Sequence, residues 1–195
     1  MYKIHIFSKV NYVSELKTNI TYQRASTDEE LQQILKLQKA NSIASISEEE
    51  KQKEGFVTVH HNFDILQAMN NACAHIIAKH NNNVVGYALS MTKDFRDKID
   101  ILKPMFQQID SSLKTNLNYV VMGQICVDKS YRGQGVFRGL YHHMKQELNH
   151  QFETIITLID VKNTRSIAAH RAVGFKLLKN FAQGDKSLDL VILDI

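Results

Sequence analysis

Residues 132–135 read Arg-Gly-Gln-Gly, between a short apolar run, QICV at 124–127, and the start of an amphipathic stretch. Two of the eight glycines in a 195-residue chain, Gly133 and Gly135, fall in this turn. Glycine lets a backbone take positive φ and approach a ligand closely. A helix beginning just beyond it presents unpaired N–H groups and roughly half a positive charge. Together these make a cradle for phosphate, to which Arg132 would add charge. The alternative is an ordinary strand-to-helix turn, and four residues cannot separate the two. A Walker-type loop needs Gly, four residues, Gly, Lys and Ser or Thr, and the sequence has no such run. A dinucleotide fingerprint needs a third glycine where Arg138 stands.

Other reactive side chains are sparse. Cys73 and Cys126 are the only two cysteines, too few for a disulfide framework or a zinc cluster, and they read as reduced core thiols. The adjacent pairs His60-His61 and His142-His143 would diverge on a strand or a helix, so neither has metal-ligand spacing. No metal is expected. His60, His61, Asp94, Gln124, His142 and His143 are polar candidates for a general base, and the sequence selects none of them.

The elements around the turn are readable from periodicity. YKIHIF predicts a strand at 2–7 and ITYQRA another at 20–25. STDEELQQILKLQKAN predicts a helix capped by Ser26 or Thr27, with acidic residues in its first turn and Leu31, Ile34, Leu35 and Leu37 on its apolar face. SEEEKQKE at 47–54 reads as a short solvated helix, and NFDILQAMNNA as a further helix. AHIIAKH, the triplet Asn81-Asn82-Asn83 and VVGYALSM predict a hairpin. Residues 93–118, with the single proline Pro104, read as a helix-containing excursion over one face. YVVMGQICV is a strand, and the helix from Val136 carries Phe137, Leu140, Tyr141, Met144 and Leu148 on the same face. TIITLIDV is a strand, TRSIAAHRAV a helix ended by Gly174, and FKLLKNF and LDLVILDI close the chain as strands.

Composition sets outer limits. A chain with 44% hydrophobic and 23% charged residues supports one well-buried core. Its net charge of +4 is scattered, so nucleic-acid binding is permitted without being indicated, and acidic ligands fit equally well. The N-terminus lacks the pattern of a signal peptide and no apolar run is long enough to span a membrane, so a soluble, cytoplasmic protein is expected.

Two stretches resemble a known family. QICV, then DKSYRGQGV, then an amphipathic helix is similar to the acetyl-CoA-binding motif of the GNAT N-acetyltransferase superfamily, Gln/Arg-x-x-Gly-x-Gly/Ala, with Arg132, Gly135 and Phe137 at the specified positions. Phe137 departs from the pattern, which asks for a small residue. NTRSIAAHRAVGF resembles the family's later motif, in which Asn163, Ser166, Gly174 and Phe175 fit, while His170 stands where tyrosine is frequent.

The resemblance implies the GNAT acyl-CoA N-acyltransferase fold over residues 20–195, an α/β fold with a central, mixed but mostly antiparallel sheet and helices on both faces. Residues 1–19 would form an N-terminal extension. It implies acetyl-CoA as co-substrate, held by Ile125, Cys126, Val127, Arg132, Gly133, Gln134, Gly135, Val136, Phe137 and Asn163. It further implies direct attack by an amine, with the Val127 N–H stabilising the oxyanion and His170 acting as general acid if it faces the ligand as the tyrosine would. Tyr131 and Tyr141 are other candidates for that acid. The acceptor would be a small-molecule or peptide amine, with no nucleic acid or membrane, and a homodimer is compatible. A CoA-binding regulatory module without catalysis is the alternative, suggested by Phe137 and His170.

Overall fold

The structure, a computed structural model, describes residues 19–42, 57, 59–99, 102–113 and 116–195. The strand expected at 2–7 and the charged helix expected at 47–54 lie outside the described residues. Seven strands form one sheet: β1 (Ile20–Arg24), β2 (Ile76–His80), β3 (Asn83–Met91), β4 (Tyr119–Val127), β5 (Thr154–Asp160), β6 (Lys176–Gln183) and β7 (Lys186–Asp194). Their spatial order is β1-β2-β3-β4-β5-β7-β6, antiparallel throughout except for the parallel pair β4 and β5.

Five helices among the described residues cover the sheet: α1 (Asp28–Ala40), α2 (Phe63–Ala72), α3 (Lys103–Ser112), α4 (Val136–Leu148) and α5 (Thr164–Val173). The first three pack on one face through a core that includes Leu31, Ile34, Leu66, Met69, Phe106 and Ile109. The other face is covered by α4, whose Val136, Leu140, Tyr141, Met144 and Leu148 are buried against Ile76, Ala88, Val120 and Ile155. That apolar set is the one its 3.6-residue period predicted.

Local chemistry explains the element ends. Thr27 caps α1 by accepting from the Glu30 N–H at 3.2 Å, and Glu30 returns the bond to the Thr27 N–H, a reciprocal box that satisfies two otherwise orphaned donors. Asn62 caps α2, and Pro104 sits in the first turn of α3, where a missing N–H costs no helix bond. Asn81 turns the β2–β3 hairpin with φ of 55°.

Two irregularities in the central strands open and line a cleft. β4 and β5 pair only from Tyr119–Val121 to Thr154–Ile156, after which β4 continues to Val127 and β5 turns its pairing to β7 alone, so a wedge opens between them. β3 pairs Leu89 with Gln124 and Ser90 with Met122, which leaves Gly123 as a bulged extra residue. A bulge exchanges the faces of every residue beyond it. Tyr119 and Val121 accordingly share the α1–α3 face with Cys126, whereas Ile125 and Val127 join Val120 and Met122 under α4.

Gly86 on β3 lets α4 lie close to the sheet. A Cβ there would stand 3.2 Å from the Cys126 carbonyl oxygen, 3.2 Å from Val136 and 3.3 Å from Leu140. Gly86→Val is expected to lower stability by about 1–3 kcal/mol through overpacking, read as a fall in the urea midpoint at unchanged slope. An unshifted midpoint would show that the helix can give way.

Candidate functional site

The wedge and the turn after β4 border one cavity of about 520 Å³. Ile125, Cys126 and Val127 form one wall, the loop through Gly133 and Gly135 to Phe137 closes one end, and α5 forms the opposite wall with Asn163, Ser166, Ala169 and Val173. The sequence-predicted binding residues Ile125, Cys126, Val127, Arg132, Gly133, Gly135, Val136, Phe137 and Asn163 all border it. Gln134 is exposed on the loop and donates its side-chain amide to the Ser130 carbonyl at 2.9 Å.

Backbone direction makes the β4 wall a row of donors and acceptors. The Asp128 N–H bonds the Val85 carbonyl at 2.9 Å, so it points at β3. N–H groups alternate sides along a strand, which turns Cys126 toward β3 as well and sends Ile125 and Val127 into the open wedge.

The loop is pinned before it reaches the glycines. Asp128 accepts from the Ser130 N–H at 2.8 Å, capping a single 3-10 turn at Lys129–Tyr131, and the Tyr131 hydroxyl lies 2.8 Å from His80 Nδ1. Arg132 donates from Nε to the Val127 carbonyl at 3.1 Å and from a terminal nitrogen to Asn41 Oδ1 at 2.6 Å. The sequence alone assigns this guanidinium to charge near the phosphate; in the structure these bonds fasten the loop to β4 and to the end of α1. Gly133 and Gly135 then adopt φ of 75° and 83°, which a side chain would make costly. The bond from the Gly139 N–H to the Gly135 carbonyl at 3.0 Å opens the α4 ladder, and Gly135 has no side chain to cap it. The N–H groups of Val136, Phe137 and Arg138 precede that ladder and have no intrahelical acceptor, the arrangement in which a helix N-terminus attracts anions. Arg138 and Arg165 also border the cavity. In the sequence Arg138 only stands where a dinucleotide motif needs glycine, and Arg165 carries no signal, since a lone arginine on a helix does not declare what it faces.

On α5, Asn163 Oδ1 accepts from the Ser166 N–H at 3.0 Å and so caps the helix, leaving the Asn163 side-chain NH2 as a donor on the cavity wall. His170 differs from expectation. It is 2% exposed and does not border the cavity. Its ring stands edge-on to Phe137, Tyr141 and Phe175 at centroid distances of 5.1, 5.5 and 5.1 Å. Nδ1 lies 2.7 Å from the Ser166 carbonyl, which can only accept, so Nδ1 carries the hydrogen and Nε2 accepts from the Tyr141 hydroxyl at 2.8 Å. Burial pulls its pKa down to about 4 and holds it neutral. The one N–H of the neutral ring is engaged by Ser166 and the ring does not border the cavity, so it is not placed to protonate a leaving group there, which corrects the orientation expected from helical spacing. The cavity face of α5 runs Ser166, Ala169, Val173, and position 170 is turned past it into the aromatic cluster. Tyr141, also fully buried, is turned inward with it.

The base candidates lie elsewhere. Gln38 Nε2 donates to Gln124 Oε1 at 2.8 Å and to His61 Nδ1 at 3.0 Å; Tyr87 donates to the same Gln124 oxygen at 2.6 Å, and Gln124 donates to the Val59 carbonyl at 2.8 Å. This buried network ties segment 59–61 to β4 beside the bulge. Desolvation lowers the His61 pKa to about 4. His60 and His142 are exposed, His143 faces Glu147 at 3.8 Å, and Asp94 accepts from Thr92 in a 3-10 turn. Cys126 meets the cavity, but burial pushes its thiol up to about 12, so it stays protonated. Among the described residues no group of three or more His, Cys, Asp or Glu side chains could hold a metal ion.

The sequence profile of the acetyltransferase (GNAT) family matches residues 32–175. The chain belongs to the GNAT family. Its fold agrees: the NatC complex bound to Gag peptide and CoA contains a chain that superposes with a TM-score of 0.64 at 15% identity, over 90% of this chain and 98% of that one. The ribosomal-protein-S18-alanine N-acetyltransferase of Escherichia coli gives 0.60 at 14% identity, covering 91% and 94%. Arabidopsis thaliana Naa50 in complex with the bisubstrate analogue CoA-Ac-MVNAL gives 0.61 at 15%, covering 90% and 99%. No curated protein matches the chain in sequence. The sheet and helices expected for a GNAT fold are therefore present, and no helix among the described residues is long and apolar enough to cross a membrane.

Proposed function

We propose that this protein is an N-acetyltransferase that moves an acetyl group from acetyl-CoA to a primary amine by direct attack within a ternary complex. The observation that carries this reading is a single cavity bordered at once by the positive-φ glycine turn, by the wedge side of β4 and by the capped start of α5. Those three surfaces suit the three parts of acetyl-CoA. N–H groups over residues 133–137 would hold the pyrophosphate, with Arg138 and Arg165 adding positive charge nearby. The exposed edge of Ile125 and Val127 would pair with the pantetheine arm as an added strand, with the Cys126 position forming part of the wall and Asn163 donating from the other side. Bound acetyl-CoA supplies an activated acyl thioester.

The chain's own groups then have two tasks. The Val127 N–H is a fixed donor for a developing oxyanion; the Ile125 N–H opens on the same wedge, two residues or about 7 Å deeper. Proton removal from the amine is the second task. The described residues bordering the cavity include no carboxylate and no imidazole, which favours an acceptor that arrives with an appreciable neutral fraction. At pH 7.5 an α-amino group is neutral for about one molecule in three, a lysine side chain for about one in a thousand. Peptide N-termini are therefore the preferred acceptor class, in keeping with the peptide bound to NatC and the peptide-like analogue bound to Naa50.

Release of free thiol from acetyl-CoA, followed with peptides bearing a free N-terminus, N-blocked lysine peptides and polyamines, tests this. Turnover is expected with the free N-termini first. CoA binding without turnover on any amine would replace the transferase by a catalytically silent CoA-binding module.

A further inference from the structure

We infer that Ser166 is a catalytic hydroxyl of this cavity, donating a hydrogen bond to the sulfur end of CoA, and that Tyr141 and His170 are positioning residues that turn it there. The inference rests on the reading of the cavity as a CoA site and adds a donor that the family resemblance does not supply.

The geometry runs inward from the core to the cavity wall. The Tyr141 hydroxyl donates to His170 Nε2 at 2.8 Å and thereby fixes the tautomer. The hydrogen on Nδ1 is shared between the Ser166 carbonyl at 2.7 Å and the Ser166 hydroxyl oxygen at 3.2 Å. A hydroxyl that accepts from this ring N–H directs its own hydrogen elsewhere. Serine in a helix commonly returns that hydrogen to a carbonyl one turn back; among the described residues the Ser166 hydroxyl makes no such bond, and its one hydrogen-bond partner is His170. Of its wall neighbours, Ala169 and Val173 carry no polar side-chain atom and Asn163 Oδ1 is engaged by the Ser166 N–H, which leaves the hydroxyl hydrogen available to the cavity that Ser166 borders across from Ile125 and Val127. Among the described residues Tyr131 brings the other hydroxyl to the cavity, and it is engaged by His80.

A donor here matters because of what happens to sulfur. As the C–N bond forms and the C–S bond breaks, the electron pair of the latter passes to sulfur, and the proton lost by the attacking nitrogen balances the one sulfur finally gains. A hydrogen bond to sulfur strengthens as that charge develops, since charge-assisted bonds are about twice as strong as neutral ones. Serine does not have to surrender its proton, and neither Tyr141 nor His170 has to ionise.

The test titrates the thiol of CoA bound to the protein through the ultraviolet absorbance of the thiolate, which requires no amine and no turnover. A donor to sulfur favours the charged form, so the bound thiol should titrate at lower pH in the wild type than in Ser166→Ala, by about one unit. Ser166→Thr should keep the wild-type midpoint, and His170→Phe, which leaves the hydroxyl but removes its orienting N–H, should move part of the way to Ser166→Ala. CoA affinity below the thiol pKa should stay within about threefold of wild type, as expected when only a neutral hydrogen bond is lost. Equal midpoints in wild type and Ser166→Ala would overturn the assignment, and so would loss of CoA binding in that variant, which would make Ser166 a packing residue. A wild type that binds CoA but acetylates nothing would sink the transferase reading while the titration still decides Ser166.

Discussion

Lowering the pH from 7 to 4 is expected to cost the fold on the order of 6 kcal/mol through two histidines, His75 and His170, at about 1.4 kcal/mol per pKa unit for each. Both are buried and both have pKa values pulled down to about 4, chiefly by desolvation. Each is held in a neutral tautomer by its partners: His75 Nδ1 accepts from the Ser90 N–H at 3.1 Å while Nε2 meets the Leu66 carbonyl at 3.1 Å, joining α2 to β3. Well above pH 6.5 neither the folded nor the unfolded state protonates them, and stability is flat with respect to these groups. Between pH 6.5 and 4 the unfolded chain takes up protons that the folded chain refuses, so stability falls as pH falls, and it levels off below pH 4. Urea midpoints measured from pH 7 to pH 5, where carboxylates remain ionised, isolate the effect. Uptake of about three protons on unfolding is expected, two from these rings and one from His61, whose pKa desolvation likewise lowers to about 4, and about two in His75→Gln, whose side-chain amide can still donate to the Leu66 carbonyl. No proton uptake over that range would mean that the rings are solvated in solution.

The same burial explains where the sequence was readable and where it was not. Strand and helix identities followed from periodicity and caps because those signals are local: Thr27 with Glu30, Asn81 and Gly174 each act within four residues of the element they end. The glycine turn and its helix were readable for the same reason, and the second motif turned a phosphate cradle into a family resemblance. The direction of single side chains was not readable. Arg132 is set by Asn41, 91 residues away in sequence, and His170 by Tyr141, 29 residues away. Helical spacing placed His170 on the Asn163 face of α5, and one position of rotation decides between the cavity and the core. No local pattern encodes the hydroxyl that tips that balance.

Phe137 and His170 stand in the sequence as two separate departures from the family motifs, and the structure brings them into contact. Their rings meet edge to face at 5.1 Å, and Phe137 meets Tyr141 at 5.3 Å in the same way. A large residue on α4 and a shortened one on α5 thus occupy a shared volume, with the Phe137 ring reaching the cavity edge in front of the imidazole. Aromatic pairs of this kind contribute about 0.5–1.5 kcal/mol beyond the area they bury. The two departures therefore belong to one packing cluster, in which a larger ring at position 170 would meet Phe137 and Tyr141 directly.

Gly135→Val is expected to weaken CoA binding by about 30- to 100-fold while leaving the fold intact. Gly135 holds φ of 83°, and a side chain in that region costs about 1–2 kcal/mol, more when branched at Cβ. Nothing lies within 4 Å of the Cβ that would be added, so the cost is backbone strain and not a clash. The loop can relieve the strain by moving to negative φ, and in doing so it turns the N–H groups of Val136 and Phe137 away from the point where they converge. A hundredfold loss is about 2.7 kcal/mol, the size of one charge-assisted hydrogen bond together with part of a helix-terminus interaction. Gly184 provides the control: its φ is 58°, its surroundings are equally open, and it turns the β6–β7 hairpin without bordering the cavity. Gly184→Val should lower the melting temperature by a few degrees at unchanged CoA affinity, whereas Gly135→Val should change affinity far more than stability. Calorimetric titration of both variants with CoA separates backbone strain from loss of the cradle, and wild-type affinity in Gly135→Val would remove the phosphate role from this turn.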